Sequence, residues 1–553
     1  MVNFLVITLI IMWKKIFKQK INSITVAAIL VATSSLISRV LGVFRDHILA
    51  SQFGAGEQLD IYYAAFRVPD LLFNLIVLGA LSAGFIPIFS SLVKNFNEPQ
   101  TDNNTEAWSL ANNIINLLSV FLVTASLLGI IFTAPLVKII APGFSASAQE
   151  TTVYLTRIMF LSPLFLGVSG VLGGILQSFR RFFIYSLAPI LYNLGIIFGA
   201  LIFANWWGMA GLAWGVVLGA FLHMIVQVPA VYVLGFRYSF KINFLDKATL
   251  RIGRLMIPRT LSLAITQIDL LVTTIIASGL LSGSLAIFNL ANNLQSFPVG
   301  IFGISLAIAA FPALSEHAFN KEKLEETFSS TLRQILFFVI PATVLLITLR
   351  AQIIRVFFGA GMFSWQDTIL TMNTLAFFSI SLFAQASTPL MVRVFYARHD
   401  SKTPFYLGMF TVLVNIILCL TFSKKIGVTG LALAYSISSI LNFLLLWTWL
   451  HFKVGNLGIE KIAKSALKFS VAAIGTGLTV QLMKVVLAPI IDMTRFSGVL
   501  TQLVGAALAG SIVYLIICYF LNSEELLTFI NSWRHRKTLK NSDTGAVKDS
   551  NCC

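Results

Sequence analysis

The sequence predicts an all-α polytopic membrane protein. About 14 transmembrane helices are expected, as two six-helix lobes in a parallel pseudo-two-fold repeat plus two extra C-terminal helices. Three observations predict this. First, 57% of the 553 residues are hydrophobic and only 11% are charged, with a mean hydropathy of +0.87; a soluble domain is about a quarter charged. Second, the apolar runs last for about 20 residues, the length a helix needs to cross a bilayer, whereas outer-membrane strands alternate apolar and polar. Third, short motifs recur at a nearly constant offset. Together these exclude a soluble enzyme, a disordered chain and a nucleic-acid-binding domain, despite a net charge of +17 and a pI near 9.8.

Residues 1–24 read as a basic cytoplasmic segment carrying Lys14, Lys15, Lys18 and Lys20. Their order, apolar before basic, is the reverse of a signal peptide, and Met12 is an alternative start to Met1. The N-lobe is expected over 25–235, with apolar segments at 25–50, 61–93, 108–140, 151–178, 184–205 and 209–235. The C-lobe is expected over 236–451, with segments at 252–280, 284–315, 328–357, 368–396, 404–423 and 428–451. Residues 452–521 hold two extra spans, 465–488 and 497–521, and 522–553 form a polar, partly disordered cytoplasmic tail. Most segments exceed 20 residues, so they tilt or extend beyond the bilayer.

An even number of spans puts both termini on one side. With the N-terminus inside, the inside connections carry Arg180, Arg181, Arg237, Lys241, Lys247, Arg251, Arg254, Lys321, Lys323, Arg398, Lys402 and Lys453. The outside ones carry little beyond Lys138, Lys424, Lys425 and Arg495. This asymmetry predicts N-in and C-in.

Gly208-Met-Ala-Gly-Leu-Ala-Trp-Gly215 matches Gly427-Val-Thr-Gly-Leu-Ala-Leu-Ala434, offset by 219. Ala148-Gln-Glu-Thr151 matches Trp365-Gln-Asp-Thr368, offset by 217, and Phe85-Ile-Pro-Ile-Phe-Ser90 resembles Ala310-Phe-Pro-Ala-Leu-Ser315, offset by 225. Each half has six spans, so both halves keep one orientation, as in transporters that enclose a site between parallel repeats.

Several charges lie within the spans. Segment one carries Arg39, Arg45 and Asp46; segment two carries Asp60, Arg67 and Asp70. A charge at mid-bilayer costs at least about 2.5–3.5 kcal/mol and persists where it is paired or lines a wet cavity. At 100° per residue, Asp60 and Arg67 share one stripe, as do Arg39 and Asp46. Arg39 lies deepest and reads as a cavity residue, whereas Asp46 and Asp70 read as end-of-span residues reaching the interface. The second half offers Arg259 and Asp269 in segment seven, and Asn289, Asn292, Asn293, Gln295 and Ser296 in segment eight. Guanidiniums grip phosphate and pyrophosphate bidentately. With no Walker motif, Ser/His/Asp arrangement or metal-ligand spacing, the residues point to moving an anion-headed substrate, with no cofactor, no metal and no bond-making.

At these residues the chain resembles the MurJ/MviN lipid II flippases of the multidrug/oligosaccharidyl-lipid/polysaccharide exporter superfamily. The resemblance runs from about residue 24 to 521 and is strongest in Ser38-Arg-Val-Leu-Gly-Val-Phe-Arg-Asp46, Phe53-Gly-Ala-Gly56 with Asp60, and Phe395-Tyr-Ala-Arg-His-Asp-Ser-Lys-Thr-Pro404. It implies a non-enzymatic flippase that carries undecaprenyl-pyrophosphate-linked disaccharide-pentapeptide (lipid II) from the inner to the outer leaflet of the bacterial cytoplasmic membrane by alternating access. It also implies a groove for the polyprenyl tail at the last two helices. The family's cavity arginines in the first helix match Arg39 and Arg45, and its acidic and basic residues in helix two match Asp60 and Arg67. Some members carry charges where this chain has Phe73, Leu78, Asn292, Asn293 and Ser296; Arg259 is then the candidate replacement. The expected substrate-binding set is Arg39, Arg45, Asp60, Arg67, Arg259 and Asn293. The expected partners are lipid II and membrane lipids, with cell-wall synthesis or division proteins as candidates, no nucleic acid, and a monomeric state. The rival readings are an exporter of another polyprenyl-linked oligosaccharide or of drugs, and a non-transporting envelope-assembly scaffold.

Overall fold

The computed structural model describes residues 24–78, 84–93 and 105–527. Among them the regular structure is helical throughout. In chain order the helices are α1 (Ile24–Phe53), α2 (Glu57–Phe73), α3 (Ile86–Leu92), α4 (Thr105–Ile131), α5 (Thr133–Ile140), α6 (Ala146–Ser178), α7 (Phe182–Trp207), α8 (Met209–Val233), α9 (Lys247–Ser278) and α10 (Ser284–Glu316). There follow α11 (Lys321–Thr348), α12 (Arg350–Phe357), α13 (Trp365–Ile380), α14 (Leu382–Ala397), α15 (Lys402–Ile426), α16 (Val428–Val454), α17 (Ile459–Leu487) and α18 (Phe496–Phe520). Ten of the described helices are long and apolar enough to cross a membrane, and α13–α14, bent by 45°, make up to eleven. The helices α1, α2 and α9 occupy the segments read as spans one, two and seven.

The chain forms two compact units. The first comprises the described residues of Met1–Leu290 with Ala360–Asp367 and Ile416–Leu431; the second comprises Ala291–Gly359, Thr368–Asn415 and the described residues of Ala432–Cys553. In the first unit the core gathers Ile88, Phe89, Leu122, Val171, Leu172 and Ile175 from α3, α4 and α6. Lipid supplies no hydrophobic drive between helices, so membrane helices associate through small residues that let backbones approach. The pair α7–α8 does this: a Cβ on Gly195 would lie 2.3 Å from the Gly219 Cα, and one on Gly199 would lie 2.3 Å from the Gly215 Cα.

Three buried asparagines of α4 hold the connection between α8 and α9. Asn112 Nδ2 donates to the Arg237 carbonyl (3.0 Å), and the Ser239 N–H donates to Asn112 Oδ1 (2.9 Å). Asn113 exchanges the same pair of bonds with Asn243 and donates to Thr249 Oγ1 (2.8 Å). Asn116 Nδ2 donates to the Ser239 and Lys241 carbonyls, both at 3.0 Å.

The second unit packs α11 against α14, α17 and α18 around Phe328, Phe337, Phe395, Phe469 and Tyr514, whose hydroxyl donates to the Phe337 carbonyl at 2.7 Å. The polar tail expected from residue 522 begins as a docked segment, not a loose one. Arg333 bridges Glu524 (2.7 Å) and Glu525 (2.8 Å), Ser465 donates to Glu525 (3.0 Å), and Leu526 is buried. The N-terminal basic segment before residue 24 and the tail beyond 527, with Cys552 and Cys553, lie outside the described residues.

Candidate functional site

The intramembrane charges of the first unit fall into three arrangements. On α1, Arg45 donates from Nε and Nη2 to Asp46 Oδ1 (3.0 and 2.8 Å) and from Nη1 to Asn193 Oδ1 (3.1 Å). Asn193, on α7, also donates to the Ser38 carbonyl at 3.2 Å. Asp46, expected at the interface, is instead 1% exposed beneath the guanidinium. Burying that carboxylate is tolerable because two N–H groups meet one of its oxygens.

Arg39 lies six residues before Arg45, somewhat under two turns back along α1. It is half-buried and makes no hydrogen bond or ion pair among the described residues. It is thus a guanidinium with five donors and, among the described residues, no acceptor for them.

On α2, Asp60 and Arg67 share a stripe as expected, and both reach the first turns of α10. Asp60, 3% exposed, accepts from the Gly283 N–H at Oδ2 (2.6 Å) and from the Ala286 N–H at Oδ1 (2.7 Å). Its carboxylate therefore caps the start of α10 from another helix, meeting orphan donors at the positive end of the helix dipole. Arg67 donates from Nε to Thr274 Oγ1 on α9 and from Nη2 to Asn289 Oδ1 on α10, both at 2.8 Å. Its Nη1 has no partner among the described residues. Past Arg67, Pro69 and a π-helical turn (Asn74–Leu78) interrupt the helix; such turns are frequent at functional sites.

The structure thus groups Asp60 with Arg67 and separates Arg45 into a network with Asn193. Asn293 is half-buried on α10, where its carbonyl accepts from Ser296 Oγ at 2.8 Å. Arg259 belongs to α9, but its side chain lies outside the described residues. Sequence reasoning missed Thr274 and Asn193 as partners, because nothing local marks a residue that answers a charge 148 or 207 positions away. Among the described residues no group of three or more His, Cys, Asp and Glu could hold a metal ion.

The second unit holds an apolar groove of about 630 Å³, lined by Leu332, Leu336, Phe443, Trp447, Ile462 and Ile474 among others. It draws on α17 but not on α18, although the resemblance places the groove at both extra helices. The face of α18 that carries Gly498, Gln502, Ala506, Gly510 and Tyr514 is already buried, and a Cβ on Gly510 would lie 2.7 Å from Val480 of α17.

Long apolar helices, a run of intramembrane guanidiniums and a groove that suits a hydrocarbon chain make a multi-span membrane transporter. The chain belongs to the MurJ lipid II flippase family: the family model described as "Lipid II flippase MurJ" matches residues 49–500. It is 32% identical over 422 residues to a probable lipid II flippase MurJ of Buchnera aphidicola subsp. Acyrthosiphon pisum, covering 75% of this chain and 81% of that one. It is 28% identical over 516 residues to the one from Bdellovibrio bacteriovorus, covering 92% and 97%. Among solved structures it is similar to a lipid II flippase MurJ in an inward closed conformation, with a TM-score of 0.73 at 26% identity, covering 89% and 99%. A multidrug resistance MATE family transporter of the MOP superfamily aligns with a TM-score of 0.62 at 16% identity, covering 78% and 98%, and shows the fold alone. The chain is accordingly a multi-pass protein of the bacterial inner membrane.

Proposed function

We propose that this chain carries lipid II from the inner to the outer leaflet by alternating access, for cell-wall synthesis, without covalent chemistry and as a monomer. The family match over 49–500 supports the substrate. The observation that carries the mechanism is Arg39, half-buried with no protein partner among the described residues. An intramembrane guanidinium is stable where an anion meets it, and pyrophosphate offers bidentate acceptors. In this reading Arg39 and Nη1 of Arg67 touch the headgroup. Arg45 and Asp60, whose bonds go to the protein, position α1 and α10. Arg259 and Asn293 serve the second half, Arg259 supplying charge absent at Phe73 and Asn293. The groove beside α17 takes the polyprenyl tail, and the basic connections favour termini that both face the cytoplasm.

Reconstituted flipping of labelled lipid II, with and without a membrane potential, tests the activity. Arg39→Ala is expected to abolish rescue of flippase-depleted cells at normal protein levels; full growth overturns its assignment. Arg259→Ala is expected to slow flipping, and wild-type flipping there removes the compensation.

A further inference from the structure

We propose that residues 237–247 form an interfacial ribbon that binds the anionic headgroup layer of the leaflet they border. The segment leaves α8 and enters α9, so both ends are fixed at the edge of spans. As far as Asp246 its backbone is neither helix nor strand, and Lys247 opens α9. The amides of Asn112, Asn113 and Asn116 hold it from one side, through the backbone of Arg237, Ser239, Lys241 and Asn243. Large apolar surface is left outward: Phe240 is 73% exposed, Phe244 67% and Leu245 82%, and the ring of Tyr238 is 63% exposed although its hydroxyl donates back to Asn116 Oδ1 at 2.8 Å.

Water alone does not suit this surface, because four large apolar side chains would stand in it. Hydrocarbon does not suit it either. The backbone groups of Phe240 and Ile242 have no partner among the described residues, and irregular backbone facing lipid tails is not tolerated. The headgroup region satisfies both demands, and it is where aromatic and basic residues collect. The charge selects anionic lipid. Lys241, Lys247, Arg251 and Arg254 outnumber Asp246 in the stretch and Glu106, which lines the same cleft as Lys241 and Lys247, while Arg237 is engaged by the Tyr232 and Phe236 carbonyls. Asp246 is occupied in capping α9 through the Thr249 N–H at 2.8 Å.

The test uses the full chain with Cys552→Ser and Cys553→Ser, spin-labelled at Phe240→Cys in nanodiscs of phosphatidylcholine and phosphatidylglycerol. The label is expected to be shielded from an aqueous nickel chelate and reached by oxygen, unlike a label at Glu322→Cys. Equal chelate access at the two sites overturns the proposal. Phosphatidylglycerol is expected to be enriched about twofold around the protein over the bulk ratio, and Lys241→Gln with Lys247→Gln to return it toward bulk. A ratio unmoved by that pair overturns the anionic preference.

Discussion

The helices α2 and α10 occupy equivalent places in the repeat, and they differ in what they carry. Each is interrupted by a π-helical turn, at Asn74–Leu78 and at Val299–Ile304, and the two turns begin 225 residues apart, the offset at which Phe85-Ile-Pro resembles Ala310-Phe-Pro. At that offset Arg67 corresponds to Asn292 and Asp70 to Gln295. The backbone is repeated and the charge is not. The same holds at other joints. The turns before α8 and α16 both use a left-handed glycine, Gly208 (φ +56°) and Gly427 (φ +63°). The turns before α7 and α15 both use a left-handed residue, Arg180 (φ +57°) and His399 (φ +60°). Shared conformation therefore belongs to the framework, and unshared charge belongs to the work one half does.

The sharpest way to break this comparison is at Arg67. Arg67→Ala leaves Thr274 Oγ1 and Asn289 Oδ1 without their donor, a cost of about 1–3 kcal/mol, and is expected to abolish rescue of flippase-depleted cells. Arg67→Lys is expected to fail as well, since a point charge cannot fork to both acceptors. Asn292→Ala, its counterpart, is expected to keep rescue; equal loss at both would mean the two helices share a task.

Next in size are the glycines. A Cβ on Gly211 would lie 2.2 Å from the Phe203 carbonyl carbon, and one on Gly430 would lie 2.5 Å from the Phe422 oxygen, both pairs offset by 219. Gly211→Ala and Gly430→Ala are each expected to destabilise by about 1–3 kcal/mol through overpacking. Thermal unfolding in detergent should show similar drops, and a loss confined to one variant would deny the framework its symmetry. A smaller effect, about 1–2 kcal/mol, is expected for Gly208→Ala and Gly427→Ala.

The smallest effect is a pH dependence belonging to one half. Asp400 accepts from the Thr403 N–H (3.0 Å) at the start of α15 and from Lys453, and these bonds hold its carboxyl down at about 2. Arg181, its counterpart before α7, makes no such cap. A depressed carboxyl stabilises above its unfolded value near 4, and that contribution fades as pH falls toward 2. Acid is therefore expected to loosen the Asp400 turn before the Arg181 turn, read by hydrogen exchange, and Asp400→Asn is expected to remove the difference.

Helices were the most legible part of this chain, because apolar runs of 20 residues leave the backbone little choice in a bilayer. The repeat was legible wherever glycine or proline enforces the same bend twice. The charged stripe of α2 was legible from spacing, but its partners were not: Asp60 bonds to backbone N–H groups, which leave no residue signature. Asp46 misled because its sequence position resembles an end of span, while its burial depends on the adjacent Arg45. The asparagines of α4 carried a faint signal, three amides at 112, 113 and 116 along one face, whose meaning needed the connection they hold.

That connection has a mechanical consequence. Pinned by amides along its length and again at Thr249, it has no slack to pay out. A pull on the first turn of α9 is handed directly to α4, as through a taut cable. Any change of direction further along α9 has to be absorbed within its own 32 residues, so the hinge, wherever the helix yields, lies inside the span and not in the strap that leads to it.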